Sequence, residues 1–454
     1  MAGAVSPDPS VTVAASNVPR YTSYPPANHF QPGIGATLAE PFLSAVERSE
    51  QASLYIHIPY CDRLCWFCGC HTKQTLSYAP IQSYVGTLCE ELRLLRNNLK
   101  HKPPLTRIHL GGGSPSLLRP TELAALRQAI DATFTFELGC EISIEIDPSD
   151  VGPATIPSLT TFGMNRASIG VQDFDPQVQK AINRIQSYEV TRHVAEDLRR
   201  NGVSKINIDI LYGLPHQDIA RLLSTVEKVL SLKPERIALF GYAHVPWVKP
   251  HQRLIPEASL PGPEDRVTHA QISANAIRNA GYVQIGIDHF ALPGDALAMA
   301  ARNGKLRRNF QGYTDDQSDV LIGLGASALS KFPGGYLQNH VATGRYSAQI
   351  KDGLLAYDRG FALNDDDRQR SWVIERLMCD FALRRDDLVN TFGASALSLW
   401  HEACALACGE LAKIVGVEHG IFSILEGSRH LARHVASHFD AYLASSAFKY
   451  SKAV

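Results

Sequence analysis

The chain has 454 residues, of which 45% are hydrophobic and 20% charged, with a formal net charge of −1. That balance belongs to soluble globular proteins, and at about 150 residues per domain the length predicts two or three domains. The near-zero charge supplies no global field for nucleic acid or a membrane surface. No apolar run reaches the roughly 18 residues that span a bilayer. Met1 to Val18 lacks the basic start and apolar stretch of a signal peptide, so the protein is expected in the cytoplasm.

In chain order, residues 1–50 read as an arm, ending in a helical stretch around Leu38 to Glu47. Its segment Pro19-Arg20-Tyr21-Thr22-Ser23-Tyr24-Pro25-Pro26 is too rich in aromatics for a solvated leader. From Ser53 onward, short β-branched runs at Leu54–Ile58, Arg107–Leu110, Ile142–Ile146, Ala167–Val171, Ile206–Leu211, Arg236–Phe240 and Val283–Ile287 alternate with helical segments. The helical segments are Pro80–Asn97, Pro120–Thr133, Tyr188–Asn201, His216–Ser231 and Glu264–Ala280. This alternation predicts βαβ units and a parallel sheet. The fold class is α/β, a partial (β/α) TIM-like barrel over residues 51–330. The last unit, residues 331–454, reads as a smaller, mainly helical domain with helices at Asp365–Phe381, Ala394–Val415 and Gly427–Ala444.

Unusual residues follow the strands. The first is followed by a cysteine run, the second by Gly111-Gly112-Gly113-Ser114-Pro115, and the third by Glu145-Ile146-Asp147-Pro148. Gln172-Asp173, Asn207 with Asp209, and Tyr242-Ala243-His244 end the next three. Parallel α/β folds build their active sites at that edge.

Nine cysteines is an odd count, and Cys61, Cys65, Cys68 and Cys70 fall within ten positions. Clustered thiols in a large chain point to a metal site rather than a disulfide framework. Soft thiolates suit iron–sulfur or zinc, but a structural zinc site draws a second ligand pair from about 12–20 residues further on. None is present there. Three thiolates around a cubane would leave one iron open to a further ligand.

This cysteine spacing, with Phe67 before the third thiol, resembles the radical S-adenosylmethionine superfamily. The Pro19–Pro25 arm, Cys68-Gly69-Cys70, Gly111–Pro115, Glu145–Pro148, Gly170–Phe174, Asn207–Asp209, Tyr242–His244, Arg308–Tyr313 and Phe439–Leu443 resemble the oxygen-independent coproporphyrinogen III oxidase (coproporphyrinogen dehydrogenase) family. The resemblance implies a [4Fe–4S] cluster on Cys61, Cys65 and Cys68 and two molecules of S-adenosylmethionine. Tyr55, Gly112, Glu145 and Leu329 are implied to contact the first molecule. Phe67, Gly113, Ser114, Gln172, Arg184, Asp209 and Ala243 are implied to contact the second. The implied reaction is oxidative decarboxylation of the ring A and B propionates of coproporphyrinogen III to vinyl groups, through a 5′-deoxyadenosyl radical, giving protoporphyrinogen IX. Cys70, Arg20 and Tyr21 are carried as catalytic candidates. A small redox protein is expected as electron donor, and the chain is expected to act as a monomer.

The residues suit those roles: glycines permit close approach, carboxylates suit hydroxyls or an ammonium, and Phe67 offers an aromatic face. Two rivals are a haem chaperone on the same fold, implied to lack Cys70 and the arm, and an iron–sulfur or zinc protein for structure or electron transfer. The latter would not need Gly111–Gly113, Glu145 and Asp209 at successive strand ends. The cationic run Arg302, Lys305, Arg307 and Arg308 could hold carboxylates. His430, His434 and His438 border an apolar stripe, and His401, Cys404 and Cys408 share a helical face; neither group is expected to bind metal.

Overall fold

The structure is a computed structural model that describes residues 17–44, 46, 51–444 and 450. At its centre lie seven parallel strands: β1 (Ala52–Ile58), β2 (Pro104–Gly112), β3 (Thr135–Ile146), β4 (Arg166–Gln172), β5 (Lys205–Tyr212), β6 (Arg236–Gly241) and β7 (Val320–Leu324). Their order is β7-β1-β2-β3-β4-β5-β6. The first six match the predicted strands. The seventh does not: Val283–Ile285 pairs antiparallel with His289–Ala291, which flanks β6 antiparallel. A strand that reverses within three residues cannot be a crossover partner. The seventh parallel strand is instead Val320–Leu324, which pairs Gly323 with Tyr55.

The helices α1 (Ala79–Asn98), α2 (Pro120–Thr133), α3 (Tyr188–Arg200), α4 (Ile219–Ser231) and α5 (Pro263–Asn279) agree with the sequence expectation within a few residues. Proline stands at the first helical turn of α1, α2 and α5, where its missing N–H is not needed. Ser187 caps α3 and Asp218 caps α4 through their side chains.

Strand alternation sorts the sheet into two faces. The outer face buries Leu54, Ile56, Ile58, Ile108, Leu110, Ile144, Ile169 and Ile208 against Leu88, Leu92, Leu126, Leu198 and Val226 of the helices. The inner face carries Tyr55, His57, Arg107, His109, Glu141, Glu145, Arg166, Ser168, Asn207, Asp209 and Arg236. At its base these form one ion-pair network. Arg107 lies 2.7 Å and Arg166 3.0 Å from Glu141, and Arg236 lies 2.7 Å from Asp295.

The sheet runs on past residue 330. Leu329–Phe332, Gly335–Asn339, Tyr357–Ala362 and the arm strand Gln31–Pro32 add antiparallel at the β7 edge. A separate core begins with α6 (Asp365–Asp380), where Asn364 accepts from the Asp367 N–H (2.8 Å) and Asp367 accepts from the Asn364 N–H (3.1 Å). The C-terminal unit is mainly helical, as the sequence predicts, with a small sheet added. It holds a three-stranded antiparallel sheet (Ala382–Arg384, Val415–Glu418, Ile421–Ile424) beside helices 385–392, 397–408 and 432–437. Gly409 ends the predicted 394–415 helix, and 427–444 contains only a 3₁₀ turn and a short helix. The arm helix is Gly35–Ser44, and its predicted end at Glu47 lies outside the described residues. Among the described residues no helix is long and apolar enough to cross a membrane.

Candidate active site

All seven parallel strands point their C-terminal ends at one rim, where the cysteine loop is held through its backbone. The Trp66 N–H donates to Ile182 O (2.9 Å), Asn183 Nδ2 to Leu64 O (2.9 Å), Gln252 Nε2 to Phe67 O (2.9 Å) and Lys249 Nζ to Cys70 O (2.8 Å). His251 Nε2 lies 2.8 Å from Cys68 O. Cys65 is buried, Cys61 and Cys68 are half-buried, and Cys70 is exposed. Burial raises the Cys61 and Cys65 thiols, whereas a hydrogen bond from Cys70 lowers Cys68. Arg184 Nη1 approaches Cys65 Sγ at 3.6 Å and binds Asp147 at 3.0 Å, with Nη2 on Gly170 O at 2.7 Å. A buried guanidinium beside the thiols favours their deprotonation, which metal binding needs.

Among the described residues no three His, Cys, Asp or Glu side chains converge as ligands of a single metal ion. The thiolates of a cubane sit on separate irons and need not converge in that way. Three thiols on one anchored loop, with a cation alongside, fit a cluster.

The glycine loop is laced to the stem of the cysteine loop: the Gly113 N–H donates to Ile58 O (2.7 Å) and the Ser114 N–H to Tyr60 O (2.8 Å). Gly112 adopts φ +112°, a conformation that favours glycine. A Cβ on Gly113 would stand 2.6 Å from Tyr60 O and 2.8 Å from Ile58 O, both backbone atoms that cannot swing away. Gly113→Ala therefore displaces the cysteine stem. Turnover is expected to fall about 10–100-fold, as when groups behind a metal site are moved, with less iron taken up. Gly86→Ala is the control, since nothing lies within 4 Å of its added Cβ. Iron assay and turnover of both variants check this.

Below the loops the inner face forms a polar chain. Tyr55 Oη lies 2.9 Å from His57 Nδ1, and its ring stacks on His109 at 5.9 Å. His109 Nε2 lies 3.3 Å from Glu145 Oε1, and the Gly112 N–H donates to Glu145 Oε2 (3.0 Å). Burial works to raise Glu145, but His109 and Gly112 outweigh it and keep the carboxyl low. Asp209 accepts from Asn207 Nδ2 (2.7 Å) and Ser168 Oγ (3.3 Å), and burial lifts it to about 6. Leu329 lies across Gly323 from Tyr55. Ser114 is buried, with its hydroxyl on Asp150 and its N–H on Tyr60, so neither group points at an open space.

Phe67, Gly69, Cys70, Gln172 and Ala243 open on a cavity of about 1740 Å³ between the barrel mouth and the C-terminal unit. Six arginines line it (Arg20, Arg266, Arg278, Arg308, Arg429, Arg433) against three carboxylates (Glu257, Asp288, Glu426). The cationic run splits here. Arg308 faces the cavity, Arg307 pairs with Glu375 (3.2 Å), and Arg302 and Lys305 are exposed to solvent. Of the arm candidates, Arg20 lines the cavity, whereas Tyr21 is buried in the C-terminal core with its hydroxyl on Asp440 (3.0 Å).

Sequence reasoning missed His57, His109, Arg266 and Arg433. The histidines were visible as polar residues at every second strand position. Arg433 had no such signal, because only folding brings its helix over the barrel.

A model of the radical SAM superfamily matches residues 55–229. The chain is 45% identical over 427 residues to the oxygen-independent coproporphyrinogen III oxidase of Paracoccus denitrificans, covering 94% of each chain. It is 46% identical over 439 residues to the anaerobic coproporphyrinogen III oxidase 1 of Cereibacter sphaeroides, covering 96% of this chain and 97% of that one. The solved coproporphyrinogen III oxidase of Escherichia coli, described as a radical SAM enzyme, superposes with a TM-score of 0.89 at 34% identity, covering 94% of this chain and 100% of that one. The chain thus belongs to the oxygen-independent coproporphyrinogen III oxidase family, within the radical SAM superfamily.

Proposed function

We propose that the chain carries out oxygen-independent oxidative decarboxylation of two coproporphyrinogen III propionates to vinyl groups, giving protoporphyrinogen IX for haem biosynthesis. The observation that carries this is the shared opening. The loop bearing Cys61, Cys65 and Cys68 faces, through Phe67 and Cys70, an arginine-rich cavity suited to a substrate with four carboxylates. Those three cysteines would hold a [4Fe–4S] cluster, and Gly112, Glu145 and Tyr55 would help to hold S-adenosylmethionine. When bound, cluster and sulfonium together supply the one-electron cleavage that generates a hydrogen-abstracting radical.

The chain's own residues position and shield. Glu145, kept ionised by His109 and Gly112, suits an ammonium or ribose hydroxyls. Phe67, Gln172 and Ala243 form the wall between the cysteine loop and the cavity, where a second S-adenosylmethionine would rest. The cavity walls exclude bulk water from the reacting carbon and orient it. This reading includes a small redox protein as electron donor, a monomeric enzyme and a cytoplasmic location.

The test is anaerobic incubation of reconstituted enzyme with reductant, S-adenosylmethionine and coproporphyrinogen III. The expected result is protoporphyrinogen IX with one CO2 released per converted propionate. Deoxyadenosine without protoporphyrinogen would defeat the substrate assignment.

A further inference from the structure

One end of the cavity concentrates positive charge from three separate parts of the chain. Arg20 comes from the arm, Arg308 from the strand Arg307–Asn309, and Arg433 from the C-terminal helix Ala432–Ser437. Arg433 donates to Val18 O (2.8 Å) and Pro19 O (3.2 Å), and Arg308 donates to Tyr21 O (3.1 Å) and Arg20 O (3.2 Å). The arm backbone on both sides of Arg20 is therefore gripped by the other two guanidiniums, which aims the Arg20 side chain at the cavity.

Like charges crowd one another here. Arg433 is lowered to about 9 by burial and by repulsion from Arg20 and Arg308. Arg20 is lowered by its enclosure and by Arg308, although the residue stays exposed. Asp288 acts on all three, and it already pairs with His289 at 2.7 Å. Arg308 Nη1 is buried without a hydrogen-bond partner. Arg308, with a buried N–H that lacks an acceptor, and Arg20, open to the same cavity, form a site that an incoming anion would stabilise.

We infer that Arg20, Arg308 and Arg433 form a seat for one propionate carboxylate of the tetrapyrrole, assembled only when the arm, the barrel and the C-terminal unit come together. The inference rests on the proposed substrate and adds which residues grip it. Arg20 is the direct contact that can be removed without releasing the arm. Arg308 and Arg433 both bind the anion and position the arm.

The test compares binding of coproporphyrin III with that of its tetra-amide, the same ring without charge, to reconstituted full-length protein by fluorescence titration. Arg20→Gln is expected to weaken coproporphyrin III binding about 10–100-fold, the range of a lost charge-assisted contact. The tetra-amide should bind both proteins alike, and Arg20→Lys should recover most of the loss. Equal losses for both ligands, or no loss for coproporphyrin III, would overturn the seat. Wild-type protein that binds coproporphyrin III through Arg20 but makes no protoporphyrinogen would defeat the reaction and leave the seat standing. Wild-type turnover with Arg20→Gln unchanged would do the reverse.

Discussion

Cys65→Ala is expected to abolish both cluster assembly and reductive cleavage of S-adenosylmethionine. Cys65 is the most deeply buried thiol of the loop and has Arg184 at 3.6 Å. A water molecule or backbone group cannot replace a thiolate on a soft iron. Its removal leaves two thiols for a cubane and an uncompensated guanidinium beside them. Cys61→Ala and Cys68→Ala should behave alike. Cys70→Ala should not, because Cys70 is exposed and the variant keeps its backbone N–H on Cys68 Sγ (3.4 Å), losing only the thiol's hydrogen bond to Cys68. That variant should retain iron and the spectrum of the reduced cluster, while losing whatever its thiol does at the cavity wall. Iron and sulfide assay after anaerobic reconstitution, with electron paramagnetic resonance of the reduced protein, separates the two classes. Full cluster content in Cys65→Ala would remove it from the ligand set.

The contrast between Cys65 and Cys70 shows where sequence reading stops. Spacing alone marks four thiols as one group; the structure leaves one of them, Cys70, exposed on the cavity. The barrel strands were legible for a similar local reason, since each is a short β-branched run followed by a glycine or polar turn. β7 was not, because Val320–Leu324 is followed by the antiparallel strand Leu329–Phe332 rather than by a helix. The antiparallel Val283–Ile285 strand was read as parallel because pattern carries no direction. The polar inner face was present in plain period, in Tyr55 and His57, Arg107 and His109, Ser143 and Glu145, Arg166 and Ser168, Asn207 and Asp209. An aliphatic reading of the strands passed over it. Arg433 and Tyr21 were beyond local pattern, as both depend on the arm packing against a unit some four hundred residues away.

A barrel with a polar interior needs a closed floor, and Arg166→Met is expected to show how much stability that floor supplies. Arg166 has 5% of its side chain exposed and lies 3.0 Å from Glu141 and 3.6 Å from Asp295, themselves 12% and 6% exposed. Burial works to raise Glu141, yet Arg166, Arg107 and Arg236 outweigh it and hold the carboxyl at about 2. Removing one guanidinium leaves buried carboxylates short of charge, which costs about 3–5 kcal/mol. Urea unfolding should show a lower midpoint with little change in slope. Glu141→Gln in the same chain should recover part of the loss, since it removes the carboxylate left behind. The pH dependence has a fixed sign. A carboxyl whose folded value is depressed adds stability above its unfolded value, about 4.3, and that stability is lost as pH falls toward 2. Wild-type protein should therefore lose stability through this acid window more steeply than Arg166→Met, in which Glu141 is less depressed. A midpoint shift worth under about 0.5 kcal/mol, the scale of a surface change, would mean that Arg107 and Arg236 hold the floor without it. The cluster loop sits at the other end of the strands. Variant protein folded at low temperature should therefore still take up iron, so that the floor is tested apart from the chemistry above it.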